Sequence, residues 1–298
     1  MRKPMLNMSR YVSQHLEREN MLTTYSASKR GRDVANSEVA ITLKERSAMS
    51  LYATNTRARI AFAGAAAREI ARLAGRKSAE GGTEFWFLTF APIQYAVPMP
   101  EAAAFDHEAA KTWAREILGD LDYVAVLEAA YYSNFNPVPA TKGPCLSWHF
   151  HVLTWGATKS EIDGLVAEIN SRYRALLPGA GAAHWRQLSP LQTIGSTLYM
   201  LKAPMSEYRV YPLKIEEMDS ETGEFIKRSS GGFNQKKRPL RPGDALKLCR
   251  ILGSRTLPML TFSHGDGDRI LRTITDRAQR LIAKQDDAHR RRMARLLG

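Results

Sequence analysis

The chain has 298 residues, 43 Lys and Arg against 30 Asp and Glu, a net charge of +13 and two cysteines. Its ordinary share of apolar residues excludes a mostly disordered or collagen-like chain. Two distant cysteines, Cys145 and Cys249, exclude a disulfide scaffold or a cysteine-rich zinc module and suit a reducing compartment.

No run approaches the roughly 18 continuous apolar residues that would span a bilayer. The basic N-terminus has no apolar stretch behind it. The expectation is a soluble, cytoplasmic protein with no signal peptide and no membrane partner. Charge is unevenly placed: residues 1–80 carry a net +8, 81–215 a net −2 and 216–298 a net +7, and all five tryptophans fall in the middle. This division predicts an aromatic-rich central domain flanked by basic segments that meet a polyanion, nucleic acid first.

Residues 1–80 read as a basic helical region, clearest over 56–74, where Ile60, Ala63, Ala67, Ile70 and Leu73 share a face. A link follows at 78–82. Aromatic density marks 85–90 as a buried strand. Asp106 caps a helix through Leu118, and 122–131 is a second strand. A loop rich in Asn, Pro and Gly over 133–144 leads to a third strand at 147–155. Ser160 with Asp163 makes a capping-box pattern for a helix that continues to Pro178. A short strand at 184–188 precedes a helix with Ser189 as N-cap and Pro190 in its first turn, ending before Pro204. This order predicts an α+β fold: a ferredoxin-like domain over 84–214, with a central antiparallel sheet and helices packed on one face. Residues 216–243 read as a flexible linker, and 244–298 as a basic helical C-terminal region.

His149-Phe150-His151 is the strongest local feature. On a strand, both imidazoles project from one side with Cα atoms roughly 6.5 Å apart. Glu128, at the end of the preceding hydrophobic strand, would be costly to bury alone. A cation shared by Glu128, His149 and His151 would satisfy all three and leave coordination positions open. A structural histidine pair is the plain alternative.

On the helix from Pro190, the stripe Leu191, Ile194, Leu198 and Leu201 is expected to be buried, with Tyr199 at its edge and Lys202 between them. An unassisted tyrosine, with a pKa of about 10, is a weak nucleophile at neutral pH. A polarised phosphate and a nearby cation would supply the help it needs. Alone, the pair reads equally as an ordinary half-exposed tyrosine and lysine. Lys236-Lys237-Arg238 and Arg290-Arg291-Arg292 are candidate contacts to a DNA backbone, or simply solvated charge.

Phe87-Leu88-Thr89-Phe90, His149-Phe150-His151 and Tyr199-Met200-Leu201-Lys202, in that order, resemble the three motifs of the HUH endonucleases. More narrowly, they resemble the initiators of rolling-circle replication in plasmids and phages. The resemblance spans about residues 84–214. It implies Mg²⁺ or Mn²⁺ held by His149 and His151, with Glu128 in the place of the third ligand. It further implies that Tyr199 attacks single-stranded or origin DNA, leaving a 5′-phosphotyrosine and a free 3′-hydroxyl. Ala203 stands where some members carry a second tyrosine, so the chain resembles the single-tyrosine type. No G-x₄-G-K-[ST] motif occurs in the 298 residues, so unwinding falls to a separate helicase.

Competing readings explain less. The spacing Gly143 to His149-Phe150-His151 opens a cupin pattern, but its glutamate is missing and the strand–helix alternation disagrees. A two-histidine-carboxylate Fe(II) oxygenase leaves Tyr199 and the basic flanks unexplained. A non-catalytic nucleic-acid-binding module would account for the basic flanks and the aromatic sheet. A transposase or relaxase would share the nicking chemistry.

Overall fold

The computed structural model of the chain describes residues 6–35, 37–134, 143–218 and 224–297. Helices come first: α1 (Met8–Ala27), α2 (Lys29–Val34), α3 (Ser37–Leu43) and α4 (Thr56–Ala79). They are followed by β1 (Phe85–Phe90), β2 (Ala96–Pro98), α5 (His107–Leu118), β3 (Asp122–Tyr132), β4 (Cys145–Trp155), α6 (Lys159–Arg172), β5 (Ala183–Leu188) and α7 (Pro190–Met200). The chain ends in β6 (Ser206–Met218), β7 (Phe225–Pro239), α8 (Pro242–Leu252), α9 (Leu257–Leu260), β8 (Thr261–His264) and α10 (Asp266–Leu297).

The strands make one mixed sheet in the order β5-β1-β4-β3-β6-β7, with β2 added to β4 and β8 to β3. β1 is buried at every residue, as its run of Phe, Trp and Leu requires, because β4 and β5 flank it on both edges. β3 and β4 pair antiparallel over their whole length, from Asp122 opposite Trp155 to Tyr132 opposite Cys145. The outer edge of β3 is shared: β8 covers Tyr123–Val126 antiparallel, and β6 meets Tyr131 and Tyr132 in parallel.

Alternation divides the side chains between two faces. Phe90, Trp148 and Phe150 lie on one face, where Trp113 of α5 packs edge-on to Phe90 at 6.3 Å and tilted on Phe150 at 5.7 Å. Phe87, Thr89, His149 and His151 lie on the other, under α7, with α4 packed on α7 and α10 beside α4. One core joins Tyr11 and Leu22 of α1, Phe62 and Ile70 of α4, the sheet, and Ile274 and Ile282 of α10. Fully buried Trp86, Trp148 and Trp155 each add about 1.5–3 kcal/mol or more of apolar burial.

The architecture is α+β. It departs from the sequence-based expectation in several places. The sheet is mixed, because β6 joins β3 in parallel. Helices cover both faces, because α7 and α4 close the face opposite α5. Within 216–243, in place of a flexible linker, residues 216–218 and 225–239 belong to a long antiparallel hairpin of β6 and β7. Its alternation is irregular in sequence, with a register shift between Pro212 and Lys214. Most of the 133–144 loop lies outside the described residues.

The capping box of α6 is formed by Thr158 and Glu161, not Ser160 and Asp163: Glu161 Oε2 accepts the Thr158 N–H at 2.7 Å. α6 also stops at Arg172, because Tyr173 packs on Trp113 and Arg174 bridges to Gly181. Asp106 caps α5 as expected, its Oδ1 accepting the Ala109 N–H at 2.9 Å. Among the described residues, no helix is long and apolar enough to cross a membrane.

Candidate active site

β4 positions the two histidines. Its neighbours supply what they face: the register sets Glu128 opposite His149 on β3 and Thr89 opposite His151 on β1. His151 Nε2 lies 3.2 Å from Glu128 Oε2, and His149 Nε2 lies 3.8 Å from the same oxygen. The imidazole planes are nearly perpendicular, with ring centres 4.8 Å apart.

Both rings are oriented from behind. The Ser147 carbonyl, which can only accept, stands 3.3 Å from His149 Nδ1, so that nitrogen carries the proton and Nε2 keeps its lone pair toward Glu128. Thr89 Oγ1 holds His151 Nδ1 at 3.0 Å. Burial pushes the His149 imidazole down to about 4, and the neighbouring His151 adds to this; His151 is lowered by burial as well. Both rings are therefore neutral near pH 7, the state that binds metals.

Burial alone would raise the Glu128 carboxyl, but the Lys202 ammonium and the two imidazoles outweigh it and hold the group well below the usual carboxylate range. Lys202 Nζ donates to Glu128 Oε1 at 2.5 Å, which leaves Oε2 for the histidines. Glu128 Oε2 and His151 Nε2 are both buried without a hydrogen-bond partner despite their 3.2 Å separation. Such orphaned atoms are rare unless something else satisfies them. One ligand atom from each of Glu128, His149 and His151 lies within 4.8 Å of the others, so the three residues fit a single cation.

Tyr199 faces this cluster from α7. Its ring centre is 5.3 Å from that of His151 and 6.2 Å from that of Phe87, and the residue is 37% exposed. The Lys202 ammonium lies 4.2 Å from the centre of the Tyr199 ring, so it touches the phenol and the carboxylate together. Ring, histidines and sheet floor enclose an open cleft of about 430 Å³, lined also by His184, Arg186, Tyr132, Tyr208 and Gln235.

α7 is buried more completely than the expected stripe. Leu191 is exposed and Ile194 half-buried, whereas Thr193, Ser196 and Thr197 are buried. These small polar residues fit because the helix is sandwiched between sheet and α4. Thr193 and Thr197 return their hydroxyls to the Pro190 and Thr193 carbonyls.

The end of α7 is held by residues that no local pattern links to it. Tyr11 Oη and Arg59 Nη1 donate to the Leu201 carbonyl at 2.8 and 2.7 Å, and the Ala203 N–H donates to His15 Nε2 at 3.1 Å. α1 and α4 thus fix the turn that carries Tyr199 and Lys202.

Of the candidate residues, Glu128, His149, His151, Tyr199 and Lys202 come together. Lys236, Lys237 and Arg238 lie on β7, where Lys237 stands opposite Tyr208 with its ammonium 5.7 Å from that ring. Lys236 and Arg238 fall on the other face of the hairpin. Arg290, Arg291 and Arg292 are exposed near the end of α10; Arg290 pairs with Asp287, and Arg291 and Arg292 line a separate groove with Arg280 and Arg295. His184, Arg186, Tyr208 and Gln235 carry no motif that marks them in sequence; alternation on β5 is the one signal that could have found His184 and Arg186.

The chain matches no family model, no curated protein and no solved structure.

Proposed function

We propose that the cleft cuts and rejoins single-stranded DNA, with Tyr199 as nucleophile, and that the protein starts rolling-circle replication as an HUH endonuclease. The observation that carries this reading is the placement of a half-exposed phenol 5.3 Å from an imidazole of a buried Glu-His-His cluster, across an open cleft. The strand order β5-β1-β4-β3, antiparallel throughout, with α5 after β1 and α6 after β4, supports a ferredoxin-like catalytic core within the larger mixed sheet.

Glu128, His149 and His151 would hold Mg²⁺ or Mn²⁺. A donor set of two nitrogens and one oxygen favours Mn²⁺, since Mg²⁺ prefers oxygen ligands. When bound, the ion supplies charge neutralisation at a non-bridging phosphoryl oxygen.

The chain's own residues do the rest. Tyr199 Oη attacks phosphorus, the new P–Oη bond replaces the P–O3′ bond, and the phenol proton ends on the departing 3′-oxygen. One phosphodiester is exchanged for another, so the reverse step rejoins the strand. Lys202 stabilises negative charge as it develops on the phenol oxygen, and its bond to Glu128 fixes its position. The basic hairpin and the end of α10 would contact flanking DNA, and a separate helicase would open the duplex.

The test is cleavage of pooled single-stranded oligonucleotides by wild type and Tyr199→Phe, with Mn²⁺ and with chelator. Wild type should cut only with the cation, and Tyr199→Phe should bind but not cut. Cutting by the variant at the wild-type rate, or in chelator, would overturn the reading. Binding without any cutting would instead support a nucleic-acid-binding module.

A further inference from the structure

The β5 wall of the cleft has no part in the chemistry above. Alternation on that edge strand sends His184 and Arg186 into the cleft and Trp185 to the opposite face, where it meets Trp86 edge-on at 5.0 Å. The register places His184 opposite Thr89 and Arg186 opposite Phe87. The Arg186 guanidinium stands 5.7 Å from the centre of the Phe87 ring, and the same ring is 6.2 Å from Tyr199. Arg186 and the phenol therefore flank one phenylalanine.

Arg186 Nη2 donates to Ser196 Oγ at 2.9 Å. Ser196 and Tyr199 are three residues apart on α7 and share a side of that helix. This contact ties the guanidinium to the helix that carries the phenol. A guanidinium has five N–H donors, and the serine takes one. Among the described residues lining the cleft, Arg186 is the one side chain with a permanent charge, and none is a carboxylate. Lys202, the other cation beside the phenol, is already paired with Glu128.

We propose that Arg186 binds a non-scissile phosphate of the strand in the cleft, the one that lies across Phe87 from the phosphate at Tyr199. The inference rests on the nuclease reading and extends it with a direction: the strand crosses the sheet from β5, over the histidines, toward Tyr132 and Tyr208. The planar fork suits two phosphate oxygens at once, and the Ser196 bond holds it in place before the strand arrives. Arg186 is a positioning residue; it does not touch the reacting phosphorus.

The test uses the full-length chain with Tyr199→Phe, so that only binding is read. Affinity for pooled single-stranded DNA is measured by anisotropy over a salt series, for this parent and for added Arg186→Gln, Arg186→Lys and Ser196→Ala. Arg186→Gln should weaken binding roughly tenfold and reduce the salt slope by about 0.7, the loss of one phosphate contact. Arg186→Lys should keep most of the slope, and Ser196→Ala should leave it unchanged. An oligonucleotide with methylphosphonate at one position at a time should show one position that matters to the parent and not to Arg186→Gln.

A salt slope unchanged by Arg186→Gln, with the parent still binding, would overturn this inference and leave the nuclease reading standing. A parent that does not bind single-stranded DNA would overturn both.

Discussion

Lys202 Nζ stands 2.5 Å from Glu128 Oε1, and this ion pair joins the turn after α7 to the centre of β3 across 74 residues of sequence. The same ammonium lies 4.2 Å from the middle of the Tyr199 ring, so the pair links the candidate nucleophile to the candidate metal ligands. Removing either partner leaves the other charge largely buried without its counter-charge.

Lys202→Met should therefore destabilise the protein by about 3–5 kcal/mol in chelator, the range for breaking a buried pair. Mn²⁺ should raise the melting temperature of this variant more than that of wild type, because the cation replaces the missing ammonium beside Glu128. Thermal melts with and without Mn²⁺ check this. Equal shifts for the two proteins would mean that the cation does not take the place of the ammonium beside Glu128, and a shift in neither that no cation reaches it.

Acid should lower the stability of the fold through two histidines, one of which holds the end of α7. His15 accepts from the Ala203 N–H at Nε2 and stands 2.7 Å from the Tyr11 carbonyl at Nδ1, a pattern that only the neutral ring can satisfy. Burial first, and the Arg59 charge second, push His15 from 6.5 down to about 3; burial and Arg255 push His107 down to about 4. In the unfolded chain both titrate near 6.5, so between about pH 6.5 and 4 the unfolded state binds more protons. Stability should fall as pH drops through that window and stay level with respect to these two groups above pH 7. Urea midpoints from pH 7.5 to 4.5 measure it, and a flat series down to pH 5 would contradict it.

Tyr11 and Arg59 should differ in cost although both donate to the Leu201 carbonyl. Tyr11→Phe leaves that carbonyl bonded to Arg59 and should cost about 1 kcal/mol. Arg59→Met also strips the Ala53 carbonyl of its donors and should cost about 2–3 kcal/mol. Denaturant unfolding of the two variants decides; equal losses would show that the Arg59 bonds to the Ala53 carbonyl add nothing to stability.

The three basic residues of β7 should separate by face. Lys237 and Gln235 share the cleft side of the hairpin with Tyr208, and Lys236 and Arg238 do not. Lys237→Ala, and Tyr208→Ala with a loss of about 1–3 kcal/mol for a stacked base, should weaken binding of single-stranded DNA more than Lys236→Ala or Arg238→Ala. Anisotropy titrations at one salt concentration test this. Equal effects from Lys236 and Lys237 would place the strand elsewhere.

Much of the fold is legible where local rules act alone. Aromatic density marks β1 within its observed bounds, Ser189-Pro190 marks the start of α7, and the His-Phe-His alternation places both rings on one face beside Glu128. What stays hidden depends on contacts far apart in sequence. The Tyr11 hydroxyl reaches Leu201 across 190 residues, and no local pattern marks it. The β6–β7 hairpin is hidden because Ser229-Ser230-Gly231-Gly232 and Lys236-Lys237-Arg238 have the composition of a linker, while ladder pairing between the two strands decides their conformation. The partner of Lys202 is hidden for a related reason: helical geometry alone points it toward the phenol or a phosphate, and the carboxylate beneath becomes visible only with β3 in place.

A covalent bond from Tyr199 to DNA is the claim on which the nuclease reading stands. To look for it, the full chain is incubated with pooled single-stranded DNA and Mn²⁺, digested, and its peptides are weighed. The expected product is an oligonucleotide attached through its 5′-phosphate to the peptide containing Tyr199, absent in Tyr199→Phe and in His149→Ala/His151→Ala. Cleaved DNA with no protein-linked product, or a product on any other residue, would contradict it.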